Sequence, residues 1–561
     1  MPAAGQEGPS RLTRQLFADN SEIDRRLSHL DSGAFFHPDL LAAITASDAW
    51  QATAEFIGRV IEQKIPVLLF GDYDVDGSTA CFLLFRWLRG RGVSGNVFLP
   101  SRFRQGYGLD KDVLRQAAQQ GYKALIALDC GTANLEEIAL ARELGLEVLV
   151  IDHHTPKDSL PDCMILNPHL LEELPPLCTA GLVLMALQIL SGADPASLVG
   201  DELELAGLAT LADIVPLVPE SWFLVHQALR LLPGTGNHGV SELLKVSQLH
   251  GIDTLTTRQL SFQMIPRLNA SGRMRSAKLI VDLFGSPDRE EARRLAMQLD
   301  LLNTERREVT DANFRQAARQ ALGFEDAPAL VLYESDWHIG VVGIVAARIA
   351  EQFKRPSLVL TASPQDPGLL SGSARSYAGV SLVDSLGACT QLLEGFGGHA
   401  AAAGVKLRLE MLDEFRDAWS GAVIDLEGQA ASADQPLLQD DWSGLPELHI
   451  ADLSGRLEDE LWQLAPFNDA VLPAPRCRLQ GVYVARCSFM GRDRTHLNIV
   501  LSDGERQVRV AGFNKSHMLS RFKAGEPVSP VVQLEPDNWN NNRSVMLRLI
   551  GLINHDGSQT S

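Results

Sequence analysis

The sequence lacks the segments that place a protein in a membrane and the cysteine patterns of a disulfide framework. No run approaches the roughly 18 apolar residues of a transmembrane helix, and residues 1–16 contain no apolar core of a secretory signal. Its seven cysteines are an odd number without any CxxC spacing, which argues against disulfides and against a zinc ribbon. We therefore expect a cytoplasmic protein without membrane contact, whose cysteines are mostly small buried side chains.

Basic residues are also scarce. Fifty lysines and arginines stand against 70 acidic residues, for a net charge of -20, and a uniform field of that sign would repel nucleic acid. The charge is distributed unevenly, however. Residues 405–465 hold four basic and 14 acidic residues, whereas residues 476–550 hold 12 basic and six acidic ones. This change of sign near residue 470 predicts an acidic stretch followed by a basic module.

The pattern of apolar runs predicts an α/β protein of several domains. Short, nearly all-apolar runs alternate with helical patterns through the first third of the 561 residues, which indicates a parallel sheet covered on both faces. Residues 288–322 contain no glycine or proline and predict one long helix or a broken pair. A second α/β pattern follows from residue 329, residues 424–444 have the composition of a linker, and short strands after residue 473 predict a small β-barrel.

These boundaries divide the chain into six segments. We predict an N-terminal extension (1–50), a parallel-sheet domain (51–285), a connecting helix (286–323), a second α/β domain (324–424), an acidic linker region (425–465) and a basic β-barrel (466–561).

Acidic residues follow the first apolar strand in an alternating pattern. Asp72, Asp74 and Asp76 also match the start of a calcium-binding EF-hand loop, but Leu83 stands at the twelfth position, where that loop needs a glutamate. A single aspartate before a helix would be read as an N-cap. Three alternating aspartates at the end of a strand repel one another, and a divalent cation would relieve that repulsion. The pattern therefore favours a metal site.

Three further acidic turns follow apolar elements: Asp129, the run Asp152-His153-His154, and Asp213. Each alone is typical of a cap. Together with the first cluster they predict carboxylates at equivalent ends of one sheet, where α/β proteins bind ligands. Because successive side chains leave an extended segment on opposite sides, we expect the two histidines to point apart, one binding metal and the other addressing substrate.

The order of these motifs resembles the DHH phosphoesterase superfamily, in which two Mn²⁺ or Mg²⁺ ions lie between aspartate and histidine ligands. Hard carboxylates with one imidazole suit these ions. Within that superfamily, the chain from about residue 65 to 410 resembles the RecJ-like exonucleases specific for single strands. The further motifs that carry the resemblance are residues 106–109, 266–273, 338–340, 343–346, 371–376 and 397–400. The chain differs from the usual pattern of those enzymes at Gln105, Ser221, Trp222, Arg275 and Ala374.

The resemblance implies roles for particular residues. The implied metal ligands are Asp74, Asp76, Asp129, His153 and Asp213. Residues expected to assist them or to contact the reacting phosphate are Asp72, Asp152, His154 and His399. Residues expected to bind the strand, including a 5′-phosphate, are Arg102, Arg273, Ser373, Arg375, Gly397 and Gly398. From the residues alone, the two glycines fit a tight turn equally well.

The resemblance further implies a DHH domain, a second domain of the DHHA1 type and an OB-like barrel. The barrel carries aromatic residues among its arginines, as in a stacking platform for bases: Phe489, Phe513, Phe522 and Trp539. The implied activity is 5′ to 3′ degradation of single-stranded DNA to 5′-mononucleotides in repair and recombination, by a monomer working beside a helicase and a single-strand-binding protein. Two alternatives stay open: a phosphodiesterase for short oligonucleotides or cyclic dinucleotides, and an inactive scaffold that binds single strands.

Overall fold

Three β-sheets organise the chain, each in a different body. The computed structural model describes residues 9–18, 20–100, 108–157, 159–192, 201–363, 366–432, 442, 444–453, 455–491, 493–539, 542–553 and 559–560. In these residues no helix is both long and apolar enough to cross a membrane. The seven cysteines are free thiols, and five of them are buried.

Helices precede the first strand: α1 (Arg11–Leu16), α2 (Asn20–Ser32), α3 (Pro38–Ala46) and α4 (Asp48–Glu62). Serine side chains cap two of them, since Ser10 accepts from the third residue of α1 and Ser47 from that of α4. Ile23 of α2 packs into the core of the third body, whereas Phe35 and Phe36 belong to the core of the first. The N-terminal segment is therefore an integral link between two bodies.

The first body contains a parallel sheet with strand order β2-β1-β3-β4-β5. Its strands are β1 (Val67–Gly71), β2 (Gly95–Phe98), β3 (Ala124–Leu128), β4 (Glu147–Ile151) and β5 (Met164–Leu166). β1 and β3 are entirely buried, as expected for strands covered on both faces. β2 lies on one side of β1 in the sheet, and β3 lies on the other side of β1. The strand order therefore reverses between β1 and β3, and the carboxyl ends of these two strands border that point.

Helices cover this sheet and extend the first body. They are α5 (Val75–Gly90), α6 (Lys111–Gln119), α7 (Leu135–Glu143), α8 (Thr179–Ser191), α9 (Asp201–Asp213), α10 (Pro219–Leu231), α11 (His238–Val246), α12 (Thr257–Gln259), a π-helical turn (Leu260–Met264), α13 (Ile265–Met274) and α14 (Lys278–Phe284). One continuous helix, α15 (Arg289–Ala321), then leads to the second body. Asp288 caps α15 by accepting from two backbone N–H groups, which explains where it begins.

The second body has a mixed sheet of order β6-β7-β8-β10-β9. In chain order its elements are β6 (Leu330–Tyr333), α16 (Val342–Phe353), β7 (Ser357–Ala362), β8 (Leu369–Arg375), α17 (Leu382–Gly387), β9 (Gly395–Gly398), β10 (Ala402–Arg408) and α18 (Leu412–Ser432). β6 and β7 pair in parallel, and the other neighbours pair antiparallel. α18 runs nine residues into the stretch that composition assigned to a linker, where residues 424–432 include helix-forming Leu, Glu, Gln and Ala.

The third body is a curled, largely antiparallel sheet with one buried core. Its elements are β11 (Glu447–Leu448), α19 (Arg456–Leu464), β12 (Arg476–Leu479), β13 (Val482–Met490), β14 (His496–Ser502), β15 (Gln507–Gly512), β16 (Pro527–Val528), β17 (Pro530–Trp539), β18 (Asn542–Ile553) and β19 (Gln559–Thr560). Residues 447–464, assigned to the linker region by sequence, pack on this sheet and share its core.

The aromatic residues of the third body divide by burial. Phe489 is 43% exposed and stands on the surface of β13, whereas Phe522 is buried in the core, so its prediction as a stacking residue is wrong. Phe513 is half-buried between His496 and Arg258. The side chain of Trp539 lies outside the described part of the structure. Sequence did not distinguish these cases because, of the three phenylalanines, only Phe489 lies within a strand, whereas Phe513 follows the end of β15 and Phe522 follows a 3₁₀ helix, where no periodic pattern marks a core position.

Candidate metal centre and substrate-binding residues

The turn after β1 brings three aspartates to the edge of the first sheet. Asp74 caps α5, and its Oδ1 accepts from the N–H of Gly77 at 3.1 Å. Asp72 and Asp76 are buried on either side of it. A Cβ at Gly77 would lie 2.5 Å from the backbone nitrogen of Asp72, so only glycine lets the helix begin this close to the turn.

Asp129 enters the same site from the end of β3. The residue is buried and has φ near +63°, a backbone conformation that costs free energy for a residue with a Cβ. Such strain persists at positions that the surrounding structure determines, and it is typical of functional sites. The hydroxyl of Thr179 donates to Asp129 Oδ1 at 3.2 Å and helps to fix the carboxylate.

The N-terminus of α8 holds Asp76. The backbone N–H of Thr179 donates to Asp76 Oδ2 at 2.7 Å, and that of Ala180 donates to Oδ1 at 2.8 Å. These are among the first N–H groups of a helix, which have no partner within the helix and favour a negative charge. α8 therefore fixes both oxygens of a buried carboxylate at the centre of the cluster.

The two histidines lie side by side, which corrects the expectation that they point apart. Their ring centroids are 4.7 Å from each other. β4 ends at Ile151, so both histidines belong to the loop beyond the strand, where the alternation of an extended segment no longer applies. Asp152 shapes this loop, since its Oδ1 accepts from the backbone N–H groups of His153 and His154 and from Nδ1 of His154, the last at 2.7 Å.

Asp213 completes the cluster from the last position of α9. His153 Nε2 lies 3.3 Å from Asp213 Oδ2 and 3.3 Å from Asp129 Oδ1. The imidazole thus stands between carboxylates that come from β3 and α9. The four acidic turns recognised in the sequence do converge at one end of the first sheet.

Crowding of carboxylates perturbs their ionisation. Burial, followed by the charges of Asp76 and Asp74, raises the pKa of Asp213 to about 9. Burial and the same neighbouring charges raise the pKa of Asp129 well above its usual range, and burial with the charge of Asp76 raises that of Asp74. These shifts measure the cost of keeping several negative charges together in a buried place.

The pKa values of Asp152 and His154 are shifted in the directions that favour their charged forms. Burial acts to lower the pKa of His154, but the hydrogen bond and charge of Asp152 outweigh it and raise the pKa to about 9. Burial likewise acts to raise the pKa of Asp152, and the hydrogen bond with His154 outweighs it and lowers the pKa to about 2. His153 differs, because burial lowers its pKa and favours the neutral imidazole that binds metals.

The side chains fit divalent cations. Ligand atoms lie within 4.8 Å of one another in three groups: Asp129 with His153 and His154, Asp76 with His153 and Asp213, and Asp72 with Asp74 and Asp129. His153 Nε2 is buried and makes no hydrogen bond in the described residues, although carboxylates surround it. Hard oxygen donors with imidazole nitrogens are a suitable set for Mn²⁺ or Mg²⁺. All five residues predicted as ligands belong to these groups.

Arg273, Ser373 and Arg375 meet where the second body approaches the first. Arg273 donates to the carbonyl of Gly340 at 3.4 Å, across the boundary between the bodies. Arg375 donates to Ser373 Oγ at 2.6 Å, and a Cβ at Gly343 would lie 2.9 Å from the Arg375 guanidinium. Both contacts lie at the start of α16, so two arginines and a serine surround a helix N-terminus, an arrangement suited to phosphate.

Other predicted substrate residues lie elsewhere. Gly397, Gly398 and His399 are exposed at the turn between β9 and β10, and the described contacts do not join them to the acidic cluster. Gly398 has φ near +148°, and a Cβ there would lie 2.3 Å from the carbonyl oxygen of Ala402, so the tight turn itself requires glycine. Arg102 lies outside the described residues, as does Gln105.

Sequence reasoning missed residues that position the cluster. Thr179 binds two carboxylates, as described above. Thr132 donates its N–H to Asp152 Oδ2 at 3.2 Å, and Asn167 Nδ2 donates to Thr132 Oγ1 at 3.3 Å and to the carbonyl of His154 at 3.0 Å. A threonine at the start of an apolar helix was the available signal for Thr179. Nothing in the pattern marked Asn167.

Comparison with known proteins places this geometry in a family. Three family models match: the DHH family N-terminal domain over residues 66–212, the DHHA1 domain over 326–424 and the RecJ OB domain over 446–551. The single-stranded-DNA-specific exonuclease RecJ of Salmonella typhimurium is 31% identical over 496 residues, which cover 82% of this chain and 84% of that protein. The chain belongs to the RecJ family. The RecJ of Bacillus subtilis is 30% identical over 95% of this chain, and the match spans 66% of that relative's length.

Solved structures of RecJ proteins agree in fold and in metal. RecJ from Thermus thermophilus in complex with Mn²⁺ has a TM-score of 0.72 at 25% identity, covering 97% of this chain and 78% of that one. A second exonuclease RecJ bound to manganese has a TM-score of 0.58 at 30% identity, covering 67% and 94%. The predicted fold class, the predicted class of metal-dependent exonuclease and the predicted Mn²⁺ or Mg²⁺ are confirmed at the level of the family.

Proposed function

We propose that this protein degrades single-stranded DNA from the 5′ end, releasing 5′-mononucleotides by hydrolysis at two divalent cations. The observation that carries the proposal is the convergence of Asp72, Asp74, Asp76, Asp129, His153 and Asp213 at one edge of the first sheet. Family relatives named as single-stranded-DNA-specific exonucleases support the substrate class. We assign the activity to DNA repair and recombination, in a cytoplasmic monomer that works beside a helicase and a single-strand-binding protein.

The cluster supports phosphodiester hydrolysis through its charge and its supporting contacts. Asp74, Asp76, Asp129, His153 and Asp213 would hold the cations, and Asp72 and His154 lie within reach of the same groups. When bound, the cations stabilise charge on the phosphoryl oxygens and lower the pKa of water. The protein's own part is orientation: α8 fixes Asp76, and Asp152 keeps a proton on Nδ1 of His154 through their 2.7 Å hydrogen bond.

The polarity of the proposed reaction rests on the second body. Arg273, Ser373 and Arg375 surround the N-terminus of α16, where backbone N–H groups and guanidinium groups suit a terminal phosphate. Gly272 in α13 packs against the carbonyl of Tyr73, in the turn that carries the aspartates, so this phosphate site is connected by direct packing to the cluster. We propose His399 as a further contact to the strand.

Two alternatives are disfavoured by particular features. A phosphodiesterase for very short substrates or cyclic dinucleotides would not require the third body, whose residues 476–550 have an excess of basic residues and an exposed Phe489. An inactive scaffold would not need a set of carboxylates whose burial and mutual repulsion raise the pKa of Asp213 and Asp129.

A comparison of strand ends tests the proposal. Wild-type protein with Mn²⁺ should degrade a 5′-phosphorylated single strand faster than the same strand with a 5′-hydroxyl, and Arg375→Ala should shrink that difference. Arg319→Ala, at an exposed position on α15, is the matched control and should leave the preference intact. Blunt duplex should resist digestion. Equal rates on blunt duplex and single strand would contradict the proposed substrate.

A further inference from the structure

A cavity of about 360 Å³ lies between the first body and the third. One wall is formed by the end of α10 and by residues 254–258, and the other by residues 462–469 with strands β17 and β18. None of the lining residues belongs to the metal cluster. The volume is within the range of roughly 300 to 1,000 Å³ that is typical of small-molecule sites.

Contacts between the two bodies hold the walls of the cavity in place. They are a hydrogen bond from Asn538 Nδ2 to the Thr254 carbonyl (2.6 Å), one from His226 Nδ1 to the Ala465 carbonyl (2.7 Å), and the Arg258 guanidinium over the Phe513 ring (4.8 Å to its centroid). The cavity is therefore built by defined pairings between bodies and is not a loose gap between surfaces.

Two guanidinium groups on the first wall make no direct ion pair in the described residues, although the charge of Arg258 acts on Glu535 across the cavity. Arg230 contacts Nε2 of His226, which accepts because Nδ1 donates to Ala465, and it forms no ion pair among the described residues. Arg258 contacts the Phe513 ring and, at 3.6 Å, the sulfur of Met546, both of which are neutral. Guanidinium groups that face a cavity with no carboxylate at ion-pair distance favour an anionic ligand, above all one with phosphate oxygens.

The opposite wall adds acceptors and apolar surface. Glu535 lies 3.7 Å from Arg548, which offsets its charge, whereas Asp469 and Asp537 make no ion pair in the described part of the chain. Trp462 and Phe467 contribute apolar surface to the same lining. A bare inorganic anion would leave these carboxylates and rings unused. A nucleotide combines a phosphate with N–H and O–H donors and with a flat apolar base.

We propose that this cavity binds a nucleoside 5′-monophosphate, with the phosphate on Arg230 and Arg258 and the nucleoside toward Trp462 and Phe467. Asp469 or Asp537 accepts from the base or the sugar. Because both bodies contribute to the lining, an occupied cavity strengthens the docking of the barrel on the metal-bearing body. The identification of the occupant with the mononucleotide product rests on the proposed function, whereas the binding site itself does not.

Calorimetric titration of dAMP into the full-length Asp76→Asn protein tests the site, since that substitution impairs the metal centre. Binding should persist in this protein. Adding Arg230→Gln or Arg258→Gln should weaken it at least about tenfold, as expected for loss of a charge-assisted contact to phosphate. The matched control, Arg293→Gln at an exposed position on α15, should leave the affinity unchanged. Each single arginine variant should hydrolyse short oligonucleotides at the wild-type rate.

Three results would overturn the proposal. Loss of all dAMP binding in Asp76→Asn would place the ligand at the metal centre. Equal affinity for inorganic phosphate and dAMP would show that the nucleoside is not recognised. If a short single strand displaced dAMP, and Arg230→Gln weakened binding of the strand as much as binding of dAMP, the cavity would be part of the strand's path.

Photolabelling gives an answer that does not depend on the folding of a variant. Wild-type protein irradiated with 8-azidoadenosine 5′-monophosphate should carry the label on peptides from residues 462–476 or 533–550, which line the cavity. Label confined to residues 71–77 or 152–154 would contradict the proposal.

Discussion

At the scale of single residues, the metal centre is a place where the chain tolerates unfavourable charge. Asp129 adopts a strained backbone conformation, and the pKa values of Asp74, Asp129 and Asp213 are raised by burial and by one another. Neither feature improves the stability of the metal-free fold. Both are understandable if the cluster exists to hold cations, because the ions offset the repulsion that the carboxylates suffer without them.

Removing a central ligand should abolish activity and spare the fold. Asp76→Asn and His153→Ala each leave the cations incompletely held, and we expect turnover to fall at least about a hundredfold, the usual scale for lost catalytic electrostatics. The melting temperature of the metal-free protein should not fall by more than a few degrees, because relief of repulsion offsets lost hydrogen bonds. Steady-state hydrolysis and thermal unfolding measure the two effects. Asp326→Asn, at an exposed position, is the control, and near-normal turnover in either variant would refute the assignment.

His226 predicts a pH dependence at the boundary between the first and third bodies. Burial, followed by the charge of Arg230, lowers its pKa from 6.5 to about 3. As pH falls below 6.5, His226 becomes protonated in the unfolded chain but stays neutral in the folded protein. The contribution of His226 to the free energy of unfolding is therefore complete above pH 6.5 and is lost progressively toward pH 3. The slope is at most about 1.4 kcal/mol per pH unit.

A substitution isolates that contribution. His226→Asn keeps a side-chain donor for the Ala465 carbonyl and removes the titration, so its melting temperature should fall less steeply than that of wild type between pH 6.5 and pH 5. His37→Asn, at a side chain that is 61% exposed, should follow the wild-type curve. Identical slopes for all three proteins would show that His226 does not titrate on unfolding in this range.

At the scale of elements, helix α2 connects the first body to the third, and its Arg26 makes polar contacts with both. Arg26 is fully buried, and its Nε donates to Glu22 at 3.0 Å. Its other nitrogens donate to the carbonyls of Leu464, Pro466 and Leu217. The guanidinium also lies over the ring of Trp222 at 5.0 Å, a position where this chain differs from the usual RecJ-like pattern. Burial lowers the pKa of Arg26 to about 10, so it stays charged.

Loss of this side chain should be costly. Arg26→Ala removes the hydrogen bond of buried Glu22, which keeps only its 3.4 Å contact with Arg25. It also removes a donor from three carbonyls, of which that of Leu464 still accepts from Trp222 Nε1. We expect the free energy of unfolding to fall by about 3–5 kcal/mol. The neighbouring Arg25→Ala, at a side chain that is 58% exposed, should change it by less than about 1 kcal/mol. Chemical denaturation of both variants provides the comparison. Equal effects would show that α2 does not hold the bodies together.

Sequence patterns predicted most of the elements and missed how they meet. The acidic turns were recognisable because buried parallel strands are nearly all apolar and end abruptly, as β1 and β3 do. The relative position of His153 and His154 depends on the residue at which β4 ends. The pattern of apolar residues in the sequence does not define that residue exactly. Contacts such as Thr179 with Asp76 and Arg26 with Leu464 join residues more than 100 positions apart, and no local pattern encodes them.

At the scale of the whole molecule, an acidic protein has a local excess of basic over acidic residues, 12 against six, in residues 476–550 of the third body. Strand β13 and the residues around it expose Arg486 and Phe489, a charged and an aromatic group suited to phosphate and base. Deleting this body would be a poor test of its role, because Leu16, Phe17 and Ile23 from the N-terminus share its core and would become exposed. Surface substitutions are therefore the better experiment.

The double variant Arg486→Gln with Phe489→Ala should bind long single strands more weakly and with a shallower salt dependence. Loss of one base-stacking side chain is expected to cost about 1–3 kcal/mol, and loss of one phosphate contact lowers the number of released counterions. Hydrolysis of very short oligonucleotides should be unchanged. Fluorescence anisotropy across a salt series provides the measurement, and an unchanged affinity at every salt concentration would assign this strand to another role.

The central claim is that the cluster around Asp76 hydrolyses single-stranded DNA from its 5′ end with divalent cations, and digestion of end-labelled strands tests it directly. With Mn²⁺, a 5′ label should appear at once as a mononucleotide, whereas a 3′ label should remain in fragments that shorten gradually. Chelation of the metal, or the Asp76→Asn substitution, should stop release of the 5′ label and shortening of the 3′-labelled fragments. Early release of the 3′ label as a mononucleotide, or undiminished digestion by Asp76→Asn, would contradict the account.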